Sequence, residues 1–209
     1  MCGIAGLCQF NLDDHQILNI QARRMGAAIK HRGPDDSGIW LAPDLGTSLV
    51  HKRLSIIDIS VAGHQPMTSF TGRFVISFNG EIYNHIELRK NLEAAGQAPP
   101  WSGHSDTESL LAAIEAWGLE SALKACVGMF AFALLDRHEK ELHLIRDRFG
   151  EKPLYWGLSG SGKNRAFVFG SELVALRSFS GFNNTIDRNS LLELLRFGQI
   201  PAPLSIYEG

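Results

Sequence analysis

This 209-residue sequence predicts an α+β domain, in which sheet layers are covered by helices. Two patterns and one bulk property point there. Short apolar runs separated by turns dominate the chain, and a few helical stretches lie between them. A content of 44% hydrophobic and 20% charged residues is that of a globular protein able to bury a real core. The length suits one ordinary domain, or one and a short tail, and there is no internal repeat.

Taken in order, Cys2 to Phe10 reads as a strand rich in small residues, which would leave space beside the thiol. Gln16 to Lys30 has the helical spacing of Ile17, Ile20, Met25 and Ile29. It ends before His31-Arg32-Gly33-Pro34, where proline forbids continuation. Ser48 to Val50 and Arg73 to Phe78 read as strands. His85 to Ala95 reads as a helix with Asn84 as its N-cap. Ser105 to Trp117 is a second, opened by Ser105-Asp106-Thr107-Glu108, which fits the capping box. Four strands follow: Met129 to Leu135, Glu141 to Arg146, Leu154 to Gly157 and Ala166 to Phe169. Asp187 can cap a last helix, Ser190 to Phe197, after which Ile200-Pro201-Ala202-Pro203-Leu204 reads as extended linker. Linker-like sequence at that point leads us to expect a further domain beyond it.

The formal net charge of -2 suggests neither nucleic acid nor an anionic membrane as partner. Cys2, Cys8 and Cys126 are an odd, sparse set, so a reduced cytoplasmic setting is expected in preference to a disulfide scaffold. No basic stretch followed by a long apolar run opens the chain, and nothing approaches the ~20 apolar residues of a membrane span. The eight histidines are scattered without metal-ligand spacing, so no metal is assigned. Gly157-Leu158-Ser159-Gly160-Ser161-Gly162-Lys163-Asn164 nearly matches a phosphate loop. It fails at Asn164, which has no hydroxyl for Mg²⁺, and it lies between two strand-like runs, so it reads as a hairpin.

The opening Met1-Cys2-Gly3-Ile4 carries the chemical signal. Removal of the initiator methionine, usual before a small residue, would leave a thiol and a free α-amine on one residue. An α-amine titrates near ~7.7–8.0, so a useful fraction is free base at neutral pH, whereas a thiol near ~8.5 is mostly protonated. A base of matched strength on the nucleophile's own Cα is the N-terminal-nucleophile arrangement. By position alone, the competing reading is a small apolar residue at the start of a strand.

Four more blocks accompany that opening: His31-Arg32-Gly33-Pro34-Asp35-Asp36-Ser37-Gly38, Arg53-Leu54-Ser55-Ile56-Ile57-Asp58, Phe78-Asn79-Gly80-Glu81-Ile82-Tyr83-Asn84, and Arg146-Asp147-Arg148-Phe149-Gly150-Glu151-Lys152-Pro153-Leu154-Tyr155. Together they resemble the glutaminase domain of the glutamine-hydrolysing asparagine synthetases, class II glutamine amidotransferases with an N-terminal cysteine. The resemblance covers almost the whole chain. It implies a four-layer αββα sandwich of two mainly antiparallel sheets. It implies hydrolysis of the glutamine side-chain amide to glutamate and ammonia through a Cys2 thioester. The family pattern assigns the oxyanion donors to the Asn79 side chain and the Gly80 N–H. It gives Arg53 to the α-carboxylate of glutamine and Asp106 to the α-ammonium, with the Glu81 backbone sharing that role. Main-chain groups of Leu54, Ser55, Ile56 and Ile57 would line the pocket.

The residue types suit those roles. A neutral amide donor needs no deprotonation, glycine lets the backbone come close, and the guanidinium fork matches a carboxylate. Each also has a plainer reading. Asn79-Gly80 is a strong type I′ turn signal. Arg53 can be a surface cation, and an acid in a first helical turn, as Asp106 would be, is favourable for dipole reasons alone. Glu151 and Lys152 after Gly150 can be decoration on a turn, though the segment reads better as a face shaped toward a partner domain. Arg32 and Asp35 are expected to fix a loop around the site.

Residues 1–185 are expected to form the glutaminase domain and 186–209 a terminal helix and linker toward an ATP-dependent synthetase domain. The Ser-Gly-Gly-x-Asp-Ser loop of such a domain does not occur in the chain. ATP and Mg²⁺ are therefore expected only on that domain or on a separate synthetase chain, and no cofactor is expected here. The expected partners are L-glutamine and that synthetase, with no nucleic acid and no membrane; homodimer formation is left open. Two rival readings remain: a non-enzymatic regulatory or assembly module on the same fold, and an N-terminal-cysteine hydrolase of another amide.

Overall fold

Residues 128–136 are apolar on both sides of the period-two alternation, which suits a strand buried on both faces. In the computed structural model, which describes residues 1–9, 15–162 and 165–208, this stretch is the middle of a layered sandwich. One sheet has five strands: β1 (Gly3–Gln9), β2 (Asp36–Ala42), β3 (Thr47–Arg53), β8 (Tyr155–Ser159) and β9 (Ala166–Gly170), in the order β2-β3-β1-β9-β8. The other has four: β4 (Met67–Thr68), β5 (Phe74–Ile82), β6 (Gly128–Asp136) and β7 (Glu141–Arg146), in the order β4-β5-β6-β7. Every pairing is antiparallel.

Ala133 and Leu135 of β6 face the first sheet and pack with Leu49, Val75 and Phe169. Phe130, Phe132 and Leu134 alternate to the other side, where α2 (His85–Ala94), α3 (Asp106–Trp117) and α4 (Leu119–Ala125) cover them with Leu88, Leu110, Ile114 and Ala122. On the far side of the five-stranded sheet, α1 (His15–Ala28) and α5 (Leu173–Arg177) lay Leu18, Ala22, Met25 and Leu176 on Leu7, Val50 and Val168. The result is the four-layer αββα sandwich expected for an N-terminal-nucleophile hydrolase. Small residues on the inner face of β6 let the sheets approach while large aromatics fill the helix side.

Several sequence expectations change. Asn79-Gly80 is no hairpin turn: both lie inside β5, paired with Ala131 and Phe130 across 45 intervening residues of other structure. The edge strand β2 was not anticipated, because its Asp36-Ser37-Gly38 start carries turn residues and much of it is half exposed. The short elements α4, α5 and β4 were also missed; they are too brief for periodicity to register. Ser105 caps α3 by accepting from Glu108 N–H, but Glu108 does not reciprocate. Its carboxylate instead accepts from Ser102 N, Gly103 N and Arg89. Asn84 precedes α2 without capping it; its side chain ties Ala125 and Val127 together. Asp187 does cap the last helix, α6 (Arg188–Phe197), through Asn189 and Ser190.

The stretch read as extended linker turns back instead. Tyr207 bridges to Ile186 and its ring meets Phe182 edge-on, with centroids 5.2 Å apart. Gly157 to Ser159 belong to β8, which pairs with β9 as the hairpin reading required; Lys163 and Asn164 lie outside the described residues, as does Phe10. Among the described residues no helix is long and apolar enough to cross a membrane.

Candidate active site

Pairing of Gly3 with Lys52 sets Cys2, one residue ahead of β1, against the end of β3. The Cys2 thiol lies 3.5 Å from Leu54 O, to which it donates, and Leu54 N–H points back at Sγ from 3.4 Å. Arg32 holds the same residue from behind. Its Nε donates to Cys2 O at 2.9 Å while Nη1 pairs with Glu172 at 2.8 Å. Asp35 secures the next loop by accepting Ser55 N–H. Burial pushes the Cys2 thiol pKa up, against the opposing pull of the Leu54 N–H and of nearby positive charge. At neutral pH the sulfur therefore carries its proton and needs a base.

A cavity of about 140 Å³ opens in front of this sulfur, where the ends of β3 and β5 and the start of α3 converge. Arg53, Leu54, Ile56, Ile57, Asn79, Gly80, Glu81 and Asp106 all line it with Cys2. Ser55 does not; its N–H is turned away to Asp35. A larger groove of about 610 Å³ lies elsewhere, between β8 and residues 200–208, and contains neither thiol nor carboxamide.

Three side chains in the cavity are left with unused capacity. Asn79 is 1% exposed and its Nδ2 is buried without a hydrogen-bond partner. Arg53 is 8% exposed; its guanidinium is held by the carbonyls of Ser60 and Asp58, and among the described residues no carboxylate sits within ion-pair distance of it. A buried cation without a counter-ion is costly unless a ligand supplies the charge. Asp106 accepts from Ile82 N at 2.9 Å and Thr107 N at 2.8 Å, and burial pushes its carboxyl pKa up despite those donors.

The backbone of β5 adds a fourth. Phe78 N–H is taken by Gln65 Oε1 at 2.7 Å and Ile82 N–H by Asp106 Oδ2. Strand alternation places the Gly80 N–H on the same side between them, beside the Asn79 amide. A β-carbon on Gly80 would come 2.3 Å from Met129 O and 2.6 Å from Phe130 Cα, so only glycine fits.

Sequence reasoning missed Gln65, Asp58 and Lys152. Gln65 steadies β5 through Phe78 and Thr107, and nothing local in its sequence marks it. Asp58 accepts from Ser60 and from His104 N, joining the Arg53 loop to the approach to α3; the Arg53 block contained it without a role. Lys152, in a segment whose sequence reads better as a face toward a partner domain than as turn decoration, is 7% exposed and lines the cavity.

A cysteine at an N-terminal strand, facing an orphaned carboxamide and an unpaired arginine, is matched by the comparisons with known proteins. The family model described as a glutamine amidotransferase domain matches residues 1–209. This chain belongs to the glutamine amidotransferase domain family. Asparagine synthetase (glutamine-hydrolyzing) 3 of Bacillus subtilis is 35% identical over 215 residues, covering 100% of this chain and 33% of the relative. Asparagine synthetase (glutamine-hydrolyzing) 1 of the same organism is 36% identical over 213 residues, 99% of this chain and 31% of its own. The chain thus spans about a third of the length of these relatives. Among solved structures, the glutamine phosphoribosylpyrophosphate amidotransferase of B. subtilis, complexed with ADP and GMP, superposes with a TM-score of 0.66 at 21% identity, over 87% of this chain and 44% of that one. The amidotransferase domain therefore shares its fold with that enzyme.

Proposed function

We propose that this amidotransferase domain hydrolyses the side-chain amide of glutamine, with Cys2 as nucleophile once Met1 has been removed. While Met1 is attached, the Cys2 nitrogen is an amide and no base. After its removal the α-amine takes the thiol proton as Sγ attacks the amide carbon. The negative charge that forms on the former carbonyl oxygen falls to the Asn79 Nδ2 and Gly80 N–H. The amine then delivers the proton to the departing nitrogen, and the C–N bond breaks to give ammonia and a thioester. Water adds to the thioester, giving up its proton through the same amine, and glutamate leaves as the thiol re-forms. Arg53 would receive the α-carboxylate through its fork, and Asp106 with the Glu81 carbonyl the α-ammonium. Nucleophile, base and oxyanion donors are all groups of the chain, so this half-reaction calls for no cofactor.

The observation that carries the reading is the Asn79 carboxamide, buried with its nitrogen unpartnered in the cavity that holds the Cys2 sulfur. Such an orphan is expensive unless a transient acceptor uses it. We further propose that the ammonia serves an ATP- and Mg²⁺-dependent synthetase making asparagine or a related amide, as the names of the relatives suggest. Domain limits of 1–185 and 186–209, and a reducing cytoplasmic setting for three free cysteines, belong to the same proposal. Treatment with the glutamine mimic 6-diazo-5-oxonorleucine followed by intact-mass analysis tests the core of it. The expected result is a chain lacking Met1, labelled once at Cys2, with ammonia release from glutamine abolished. Full ammonia release from a chain that keeps Met1 would overturn it.

A further inference from the structure

The Arg146 to Tyr155 block has no part in the scheme above, yet it builds a pedestal. The Asp147 carboxylate accepts four backbone N–H groups, from Phe149 at 3.1 Å, Glu151 at 2.9 Å, Lys152 at 3.1 Å and Phe130 at 3.2 Å. Arg146 closes the loop from the other side, donating to the carbonyls of Lys152, at 2.6 Å, and Gly150. Gly150 turns the chain at φ +67°, a value other residues reach at a cost. All this fixes one side chain in the cavity wall, that of Lys152.

The lysine head is poorly provided for. Its nitrogen has one hydrogen-bond partner among the described residues, the Met1 thioether at 3.4 Å, and no carboxylate lies within ion-pair distance. A thioether is a weak acceptor. It is also the group that departs when the nucleophile is unmasked. We propose that Lys152 is a positioning residue for the Cys2 α-amine: its ammonium, facing the space that Met1 vacates, holds that amine in the unprotonated form near neutral pH. The inference rests on the reading of Cys2 as nucleophile with its own amine as base.

Geometry and charge support it. Met1 links the two nitrogens, Cys2 N by a peptide bond and Lys152 Nζ by the sulfur contact. Ordinary bond lengths keep them within roughly 10 Å of one another. In a partly enclosed site a cation at that range disfavours a second one. The other charges around Cys2 are of both signs. Arg53 of β3 is held by carbonyls, and Arg32 is split between Cys2 O and Glu172. Asp106 of α3 is occupied by two N–H donors, and Glu81 of β5 stands on the same wall. These two carboxylates would raise the basicity of the amine, and Lys152 opposes them together with Arg53, the other cation of the cavity wall.

The test is the pH dependence of kcat/KM for glutamine in processed full chain, with Met1 loss checked by intact mass. Lys152→Met is expected to move the acidic limb upward by about half a pH unit or more. The rate should fall several-fold at pH 6 and converge with wild type near pH 9. Lys152→Arg should keep the wild-type limb. A uniform loss of rate at every pH, or the same limb in Lys152→Met as in wild type, overturns the proposal. If Lys152→Met does not accumulate in processed form, Lys152→Gln is read the same way. Titration of a ¹⁵N-cysteine-labelled wild-type amine gives a further reading, expected below the ~7.7–8.0 of an ordinary α-amine, and a value at or above that range counts against us. Processed wild type that releases no ammonia sinks the Cys2 reading itself, whereas an active wild type with an unmoved limb in the variant sinks the role of Lys152 alone.

Discussion

Asn79 has two donor hydrogens on Nδ2, and neither meets an acceptor in a site that excludes solvent from that atom. Its backbone is locked into β5 opposite Ala131, and Gln65 and His51 grip Phe78, the residue before it. The side chain is thus held in place before any substrate arrives, and the cost of ordering it falls on folding instead of on the reaction. Asn79→Ala should therefore leave KM for glutamine within a few-fold of wild type while kcat drops. Loss of one oxyanion donor typically costs ~2.7–4 kcal/mol in the transition state, a fall of about 10²–10³ in kcat. Steady-state ammonia release with a check of fold by circular dichroism measures it. An equal loss in KM with kcat intact would instead make Asn79 a ground-state contact. Cys2, Arg53 and Asn79 were legible in sequence because each lies inside a short motif whose residue types match one chemical task. Lys152 was not, because a lysine after Gly150-Glu151 looks like any solvated turn, and only the folded pedestal shows that its stem is buried.

Among the elements, those with long uninterrupted alternation or helical spacing were readable: β6, β7, α1, α3 and α6 were placed within one or two residues of their observed bounds. The strand holding Asn79-Gly80 was cut short at Phe78 because the pair is a strong local turn signal. Tertiary pairing with β6 overrode that preference along all of β5. The loop from Asp147 to Lys152 is the opposite case, an irregular segment made rigid by one carboxylate that accepts four N–H groups. Those donors hold the Asp147 pKa below the usual carboxylate range in spite of burial. Hydrogen bonds to a charged group are worth ~1.5–3 kcal/mol apiece and do not add in full. Asp147→Ala is expected to lower stability by about 3 kcal/mol at pH 7, read from urea unfolding, and to speed amide exchange at Glu151 and Lys152. A folded pKa below the unfolded value means that this contribution is present above pH ~4 and is lost as pH falls through the folded value. The difference between wild type and variant should accordingly shrink in acid. A loss under about 0.5 kcal/mol at pH 7 would show that the pedestal holds itself up without Asp147.

At the scale of the whole molecule, the two sheets are joined directly beneath the site by two polar contacts that cross an otherwise apolar interior. His51 on β3 donates through Nε2 to Phe78 O on β5 at 3.0 Å, and Ser77 Oγ donates to Val50 O at 2.9 Å. His51 is fully buried and its Nδ1 has no partner, so the ring is neutral, and burial lowers its pKa to about 4 against the pull of the Phe78 carbonyl. In the unfolded chain the same ring titrates near ~6.5. Between those two values the unfolded state binds the proton and the folded state refuses it. Stability is full above about pH 6.5 and falls as pH drops toward 4, by up to about 3 kcal/mol from this one residue. Because Phe78 precedes Asn79, the same protonation would loosen the strand that carries Asn79 and Gly80, so acid should weaken fold and activity over one window. His51→Gln, which has no proton to gain, is expected to start less stable at pH 7 and to lose less between pH 6.5 and 4. Urea unfolding at half-unit steps of pH, wild type beside variant, gives the comparison. Parallel curves through that window would mean that the acid response comes from the salt-bridged carboxylates alone and that the histidine is only a spacer between the sheets.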